Sequence, residues 1–243
     1  MDEKIMRLQE MIDESRRIVF FGGAGVSTES GIPDFRSVDG LYHTKYRYPP
    51  ETIISRSFFE SHTEEFYDFY REKLLFPQAQ PNAAHKKLAE LERAHRLSAV
   101  ITQNIDGLHQ KAGSERVLEL HGSVLRNTCM RCGKKYSMED VLNSRGIPRC
   151  SCGGIIKPDV VLYEEGLDMG LLQQAVEEIA AADLLLVAGT SLVVYPAAGL
   201  VDYFRGKHLV VINKSAIGLD KKAELTLALP VGEVLKQIKV NAL

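Results

Sequence analysis

Ile5, Leu8, Met11 and Ile12 recur at helical spacing, which predicts an amphipathic helix at the start of the chain. The pattern then changes. Ile18 to Phe21 is an unbroken apolar run that ends at Gly22 and Gly23, as expected of a strand buried on both faces. Ala99 to Thr102, Leu184 to Ala188 and Leu209 to Ile212 repeat the pattern, and Leu225 to Leu229 predicts an edge strand that stops at Pro230. Helical patterns lie between these runs. Asn82 to Arg93 places Ala84, Leu88 and Leu91 on one side, Leu171 to Ala181 precedes the Leu184 strand, and Pro196 opens a helix towards Phe204. Strands alternating with helices predict an α/β fold, a doubly wound parallel sheet covered on both faces.

Two segments break that rhythm. Ser37 to Gln80 is aromatic-rich and interrupted by Pro49, Pro50 and Pro77, and Arg126 to Lys157 holds all four cysteines. Both read as insertions. The large domain is then discontinuous, built from residues 1–36, 81–125 and 158–243, with 37–80 a helical and loop insertion and 126–157 a separate small module. A chain of 243 residues is long enough for this division.

Composition narrows the function classes. The net charge of −2 gives no broad electrostatic grip on nucleic acid or on an anionic membrane, so neither is expected as a direct partner. No apolar stretch approaches the roughly 20 residues of a membrane span. The charged N-terminal segment lacks the apolar core of a signal peptide, so a cytoplasmic protein is expected. In a reducing compartment four cysteines are thiols or metal ligands rather than disulfides. No heptad seam demands a second chain, and the sequence leaves the oligomeric state open.

Gly22-Gly23-Ala24-Gly25-Val26-Ser27-Thr28 follows the first strand directly. Glycines there let the backbone approach a pyrophosphate, and a following helix start offers free N–H groups. A tight turn without a ligand is the alternative. The hydride-transfer fingerprint is imperfect, because its third glycine would fall at Thr28 and Gly31-Ile32-Pro33 stops any helix early. Gln103-Asn104-Ile105-Asp106 sits at the carboxyl end of the Ala99 strand, the edge where open parallel sheets bind ligands. These residues could bind a ribose or a carboxamide, or Asn104 or Asp106 could simply cap the segment carrying Leu108. His121 ends the alternation Val117, Leu118, Leu120; a neutral imidazole there could be a general base or a structural group. His43, His62, His85, His95, His109 and His208 have no comparable setting and default to solvent or packing roles.

Cys129 and Cys132 form a C-x-x-C pair, 17 residues separate Cys132 from Cys150, and Cys152 closes a C-x-C pair. This spacing suggests a tetrahedral structural zinc site, with redox pairing as the alternative. Four thiolate ligands leave no open position for catalysis.

Taken together, Gly23 to Arg36 with its Gly-Ile-Pro-Asp-Phe-Arg ending, Gln103-Asn-Ile-Asp106, His121-Gly122, the four cysteines and Gly189-Thr-Ser191 resemble the sirtuins, the NAD-dependent protein deacylases. The resemblance covers nearly the whole chain. It implies a Rossmann-like domain with a smaller inserted zinc-binding module, and NAD and acyl-lysine meeting between them. By that resemblance Ala24, Thr28, Phe35 and Arg36 line the NAD site, Phe35 shielding the ribose after nicotinamide leaves. Gln103 contacts ribose, Asn104 holds the reactive arrangement, and Ile105 and Asp106 hold nicotinamide. Thr190, Ser191, Asn213 and Val231 bind the adenosine half, and Val161 lies along the acylated peptide within Lys157-Pro-Asp-Val-Val-Leu-Tyr-Glu-Glu165. His121 is the base that lets a ribose hydroxyl attack the imidate carbon, giving free lysine and O-acyl-ADP-ribose.

Family members that prefer acidic acyl groups carry a Tyr-x-x-Arg pair. Its counterpart is read as Tyr67-Asp68-Phe69-Tyr70, with Arg71 adjacent, so acetyl or another uncharged acyl group is expected. Glu164 and Glu165 could favour basic residues beside the acyl-lysine or form a solvated pair. Two other functions stay open in the sequence: a protein ADP-ribosyltransferase using the same NAD site, and a non-catalytic NAD-sensing module, against which Asn104, Asp106 and His121 together argue.

Overall fold

The computed structural model describes residues 3–34 and 47–240. Along the chain come α1 (Glu3–Glu14), β1 (Ile18–Gly22), α2 (Pro50–Ile53), α3 (Arg56–Ser61), α4 (Thr63–Lys73), α5 (Ala83–Arg93), β2 (Leu97–Thr102), α6 (Leu108–Lys111) and β3 (Val117–Glu119). They are followed by β4 (Gly122–Cys129), β5 (Lys135–Ser137), α7 (Met138–Leu142), β6 (Ile156–Val160), α8 (Met169–Ala181), β7 (Leu184–Ala188), β8 (His208–Ile212), β9 (Leu225–Leu227) and α9 (Val231–Leu235).

The large sheet has the order β3-β2-β1-β7-β8-β9, and every neighbouring pair is parallel. This is the doubly wound arrangement that the alternation of apolar runs and helices predicts. β1 and β7 are buried at every position, because helices cover both faces. Ile5, Leu8, Met11 and Ile12 of α1 pack with Leu88 and Leu91 of α5 and Val234 of α9 on one side. Ala175 and Ile179 of α8 pack with Leu200 on the other. Strand order reverses between β1 and β7, and the crevice beyond their carboxyl ends is the position where such sheets bind ligands.

Several element ends differ from the sequence pattern. Asn82 is the cap of α5 rather than its first residue: its side chain accepts from Ala84 N–H at 2.8 Å while its own N–H donates to His85 Nδ1. α8 starts two residues before Leu171 because Asp168 caps it. Ala197–Tyr203 is a 3₁₀ helix, not an α-helix; the Gly199 N–H donates to the Pro196 carbonyl three residues back.

The cysteine-bearing segment belongs to a second sheet, antiparallel, in the order β5-β4-β6. It is not a loop-rich piece without a core. Val124 of β4, Val141 of α7, and Ile156 and Val160 of β6 share one apolar cluster with Phe58 and Phe59 of α3 and Phe66, Tyr67 and Tyr70 of α4. Residues from both segments that break the alternating pattern therefore bury each other's apolar faces. The sequence hid this because the partners lie roughly 60 to 100 residues apart and each segment is too short to carry a clear period of its own.

Candidate active site

The site forms where β1 and β7 diverge. The loop after β1 makes two short 3₁₀ turns, Ala24–Val26 and Thr28–Ser30. Gly25 is required by contact: a Cβ there would lie 2.8 Å from the Gly189 Cα and 3.0 Å from its carbonyl oxygen. Gly25 N–H donates to that same carbonyl at 2.8 Å, so the two loops run backbone against backbone. The result is a cradle without side chains at the carboxyl edge of the sheet.

A cleft of about 1210 Å³ opens from this cradle. Ala24, Thr28, Gln103, Asn104, Ile105 and Asp106 all line it, as do His121 and Val161. Thr190, Ser191, Asn213 and Val231 line it as well. Among the described residues, the twelve positions named from the sequence for NAD, the base and the peptide thus face one space. Phe35 and Arg36 lie outside the described residues.

Around Ser27 a polar network ties three segments together. Ser27 Oγ donates to Asp106 Oδ2 at 2.6 Å and accepts from Asn104 Nδ2 at 3.1 Å. Asp106 Oδ1 accepts from the Leu108 N–H at 2.9 Å, so this residue both caps α6 and faces the cleft. Burial pushes its carboxyl up, and the bonds from Ser27 and Leu108 oppose that. Gln103 Nε2 donates to Thr190 Oγ1 at 3.1 Å, closing the gap between β2 and β7. Ser27 had not been singled out from the sequence. Its partners lie 77 and 79 residues away, beyond any local spacing rule.

His121 stands between β3 and β4. Its Nδ1 lies 3.0 Å from the Gln103 carbonyl oxygen. A carbonyl only accepts, so Nδ1 carries the proton and Nε2 keeps its lone pair. Desolvation lowers the His121 pKa from the ordinary imidazole value, partly offset by the Gln103 bond. At neutral pH the ring is a neutral acceptor at the cleft, the state a general base needs. The His121 carbonyl accepts from the Val161 N–H at 3.0 Å, so the backbone of His121 is tied to the segment that follows β6.

The acidic pair behind Val161 is internally engaged. Glu164 accepts from Ser57 N–H at 2.8 Å and Ser57 Oγ at 2.9 Å. Glu165 meets Arg56 at 3.1 Å, Lys157 at 3.2 Å and the Leu162 N–H at 2.9 Å. Both glutamates line the cleft and Glu164 is exposed, while their carboxylates also latch α3 to the Val161 segment.

The four cysteines converge, with all Sγ atoms within 4.8 Å of one another. Cys129–Cys152 and Cys132–Cys150 Sγ separations are both 3.5 Å. A disulfide needs about 2.05 Å. A zinc tetrahedron with Zn–S about 2.3 Å has edges of about 3.8 Å. The soft donor set and its spacing therefore fit a four-thiolate zinc site, and the Arg131 N–H donates to Cys129 Sγ at 3.4 Å as a partner to the charge.

The arrangement matches known proteins. The Sir2 family model matches residues 23–196. A Clostridium acetobutylicum protein named NAD-dependent protein deacetylase is 58% identical, with 97% of this chain and 98% of that protein covered. A protein of the same name from Clostridium perfringens is 56% identical over 98% of this chain and 99% of its own length. Among solved structures, one described as Sir2 with p53 peptide and NAD+ has a TM-score of 0.85 and 42% identity, covering 96% of each chain. One described as Sir2 bound to acetylated peptide has a TM-score of 0.84 and 41% identity, again over 96% of each chain.

Proposed function

The chain belongs to the Sir2 family, and on that premise we infer that it removes acetyl, or another uncharged acyl group, from protein lysine side chains while consuming NAD. The observation that carries this reading is the neutral His121, held through Nδ1 with Nε2 left over, in one cleft with the glycine cradle and the Ser27–Asn104–Asp106 network. A pure NAD binder has no use for such a base.

NAD supplies the chemistry of an activated ribose carbon when nicotinamide leaves. The residues of the chain bind, orient and move one proton. We assign Ala24 and Thr28, with Phe35 and Arg36, to the phosphate and ribose side of the cofactor, Phe35 excluding water from the reacting carbon. Gln103 bonds ribose, and Ile105 and Asp106 hold the nicotinamide, Asp106 by its carboxamide. Asn104, fixed by Ser27 and by its N–H bond to Thr102 Oγ1, orients the reacting groups. His121 Nε2 accepts the ribose hydroxyl proton. Thr190, Ser191, Asn213 and Val231 take the adenosine half. Val161 pairs along the acylated peptide, the partner being an acyl-lysine protein or peptide. Catalysis on this account is mainly positioning plus one base.

Zinc is structural: Cys129, Cys132, Cys150 and Cys152 hold one ion per chain and leave no site for a reactant. The domain division proposed is 1–36, 81–125 and 158–243 for the Rossmann-like domain, 37–80 for the helical insertion and 126–157 for the zinc module, with β4 and β6 of the small sheet running across the last two boundaries. No helix among the described residues is long and apolar enough to cross a membrane. We take the cytoplasm as the setting, because a four-thiol metal site suits a reducing compartment.

The test is mass spectrometry of the products from NAD and a panel of acyl-lysine peptides. Nicotinamide, O-acyl-ADP-ribose and free lysine are expected, with acetyl turned over faster than succinyl. His121→Ala should lower kcat by about 10²–10⁴-fold while NAD still binds. ADP-ribose attached to protein, with no O-acyl-ADP-ribose formed, would replace this reading by the transferase one.

A further inference from the structure

Tyr70 is 1% exposed, yet its hydroxyl has no hydrogen-bond partner among the described residues. It also forms part of the cleft wall. An unpaired buried hydroxyl costs about 1–3 kcal/mol, and of the residues with such an atom among those described Tyr70 is the one that lines the cleft, where a ligand can complete it.

Its surroundings say which ligand. Ile54, Leu74, Ile105, Val160 and Leu162 line the same cleft and belong to the apolar cluster that contains Tyr70. That end suits a hydrocarbon chain, whereas Thr190, Ser191 and Asn213 mark the polar, nucleotide end. Ile54, Leu74 and Ile105 are only partly buried, so they can yield to a chain that reaches the hydroxyl. The ring itself is fixed, stacked on Phe66 at 5.6 Å and edge-on to Tyr67 at 6.3 Å.

The neighbouring donors are already engaged. Tyr67 Oη donates to the Ile156 carbonyl. The Arg71 guanidinium donates to the carbonyls of Val141 and Gly146 and to Ser144 Oγ, and it is absent from the cleft wall. The Tyr70 hydroxyl is therefore a neutral donor without a partner among the described residues, in a wall that also carries Lys73. Burial pushes the Tyr70 phenol up, so it stays protonated across the physiological range.

We propose that the Tyr70 hydroxyl is a specificity-determining donor at the acyl end of the cleft, selecting uncharged acyl chains that carry an acceptor oxygen over plain chains of equal length. This rests on the deacylase reading above and names the substrate class of that site. A chain oxygen completes the orphan hydroxyl, whereas a plain chain leaves it unpaired.

The test compares kcat/KM for 3-hydroxybutyryl-lysine peptide, each enantiomer, with the butyryl isostere. The wild-type protein should favour one hydroxylated enantiomer by about 3- to 10-fold, the range of one net hydrogen bond. Tyr70→Phe, which keeps the ring and its stacking, should bring that ratio to about one. A wild-type ratio at or below one for both enantiomers overturns the proposal, as does a preference that survives Tyr70→Phe. If acyl peptides are turned over but 3-hydroxybutyryl and butyryl are processed without any preference, this inference fails alone; if NAD yields no nicotinamide with any acyl peptide, it falls together with the deacylase reading.

Discussion

Replacing Gly122 by alanine should disable the protein through three costs. Gly122 has φ of 75°, a left-handed conformation that costs an L-residue about 1–2 kcal/mol. The added Cβ would lie 2.0 Å from the Asp159 carbonyl oxygen and 3.2 Å from the Val160 Cα. Both are backbone atoms, so no side chain can swing aside. β4 and β6 must separate by about 1 Å to bring the first contact to a bearable length, an overpacking strain of about 1–3 kcal/mol. The Val161 N–H to His121 carbonyl bond, now 3.0 Å, stretches with them and loses about 0.5–1.5 kcal/mol. The sum is about 3–6 kcal/mol. For a chain of this size that corresponds to a fall in Tm of roughly 6–24 °C. Scanning calorimetry at matched concentration measures it. Gly113→Ala is the control: φ is 100° there, and the nearest atom to a new Cβ is the mobile Arg93 Nη1 at 3.7 Å, so only the conformational cost remains. Steady-state kinetics on the same samples should show deacylation falling further for Gly122→Ala than stability alone explains, since the base and the Val161 strand lose register. Equal Tm shifts for the two variants would refute the steric argument, whatever the activities.

Three further outcomes are expected. Burial holds His85 down to about 4 and His109 well below its ordinary value, so both stay neutral in the fold while the unfolded chain takes up protons below about pH 6.5. Stability should therefore be flat above neutrality and fall from about pH 6.5 towards 4, by about 2 kcal/mol at pH 5 for His85, with a further loss for His109; urea midpoints between pH 7.5 and 5 that do not move would contradict this. Metal analysis should return one zinc per chain, and chelation or Cys129→Ala should raise hydrogen exchange in β4, β5 and β6 before the large sheet responds; a fully active, zinc-free reduced protein would remove the metal from the account. Ser27→Ala strips Asp106 of a charged hydrogen bond, which should lower kcat/KM by about 10- to 100-fold. Because that bond holds the Asp106 carboxyl down, the acid limb of the profile should also move to higher pH; a loss under twofold with no shift of the limb would show that Ser27 does not position the aspartate.

Much of the large domain is readable in the sequence because its physics is local. A strand buried on both faces must be a short continuous apolar run, and Ile18–Phe21 and Leu184–Ala188 are such runs, bounded by glycines that the chain needs for its turns. Gln103 and Asn104 sit at the end of the Ala99 strand and are legible from where it stops, whereas Thr190 is implied by the resemblance alone. Tyr67 and Tyr70 are different. Nothing in a helical spacing tells that one hydroxyl reaches a carbonyl 89 residues on while its neighbour is left unpaired. Glu164 is different too: it is exposed, as a solvated residue would be, and only the contact with Ser57, 107 residues away, makes it a latch. Those properties belong to long-range packing, which a periodic pattern does not encode.

The latch and the strand β4 explain why the small module matters to a reaction at the edge of the large sheet. β4 begins one residue after His121 and ends on the zinc ligand Cys129, a single strand of eight residues. Its antiparallel partner β6 ends at Val160, one residue before the cleft-lining Val161, and the same segment is then pinned to α3 through Glu164 and Glu165. The base thus takes its side-chain orientation from the Gln103 carbonyl of the large sheet and its backbone position from the small one. A metal site with no open coordination position can then affect catalysis only mechanically, by fixing the far end of the strand whose near end carries the base. It follows that loss of the metal should weaken turnover and acyl-peptide binding more than NAD binding, because the glycine cradle is built on β1 and β7 and owes nothing to β4.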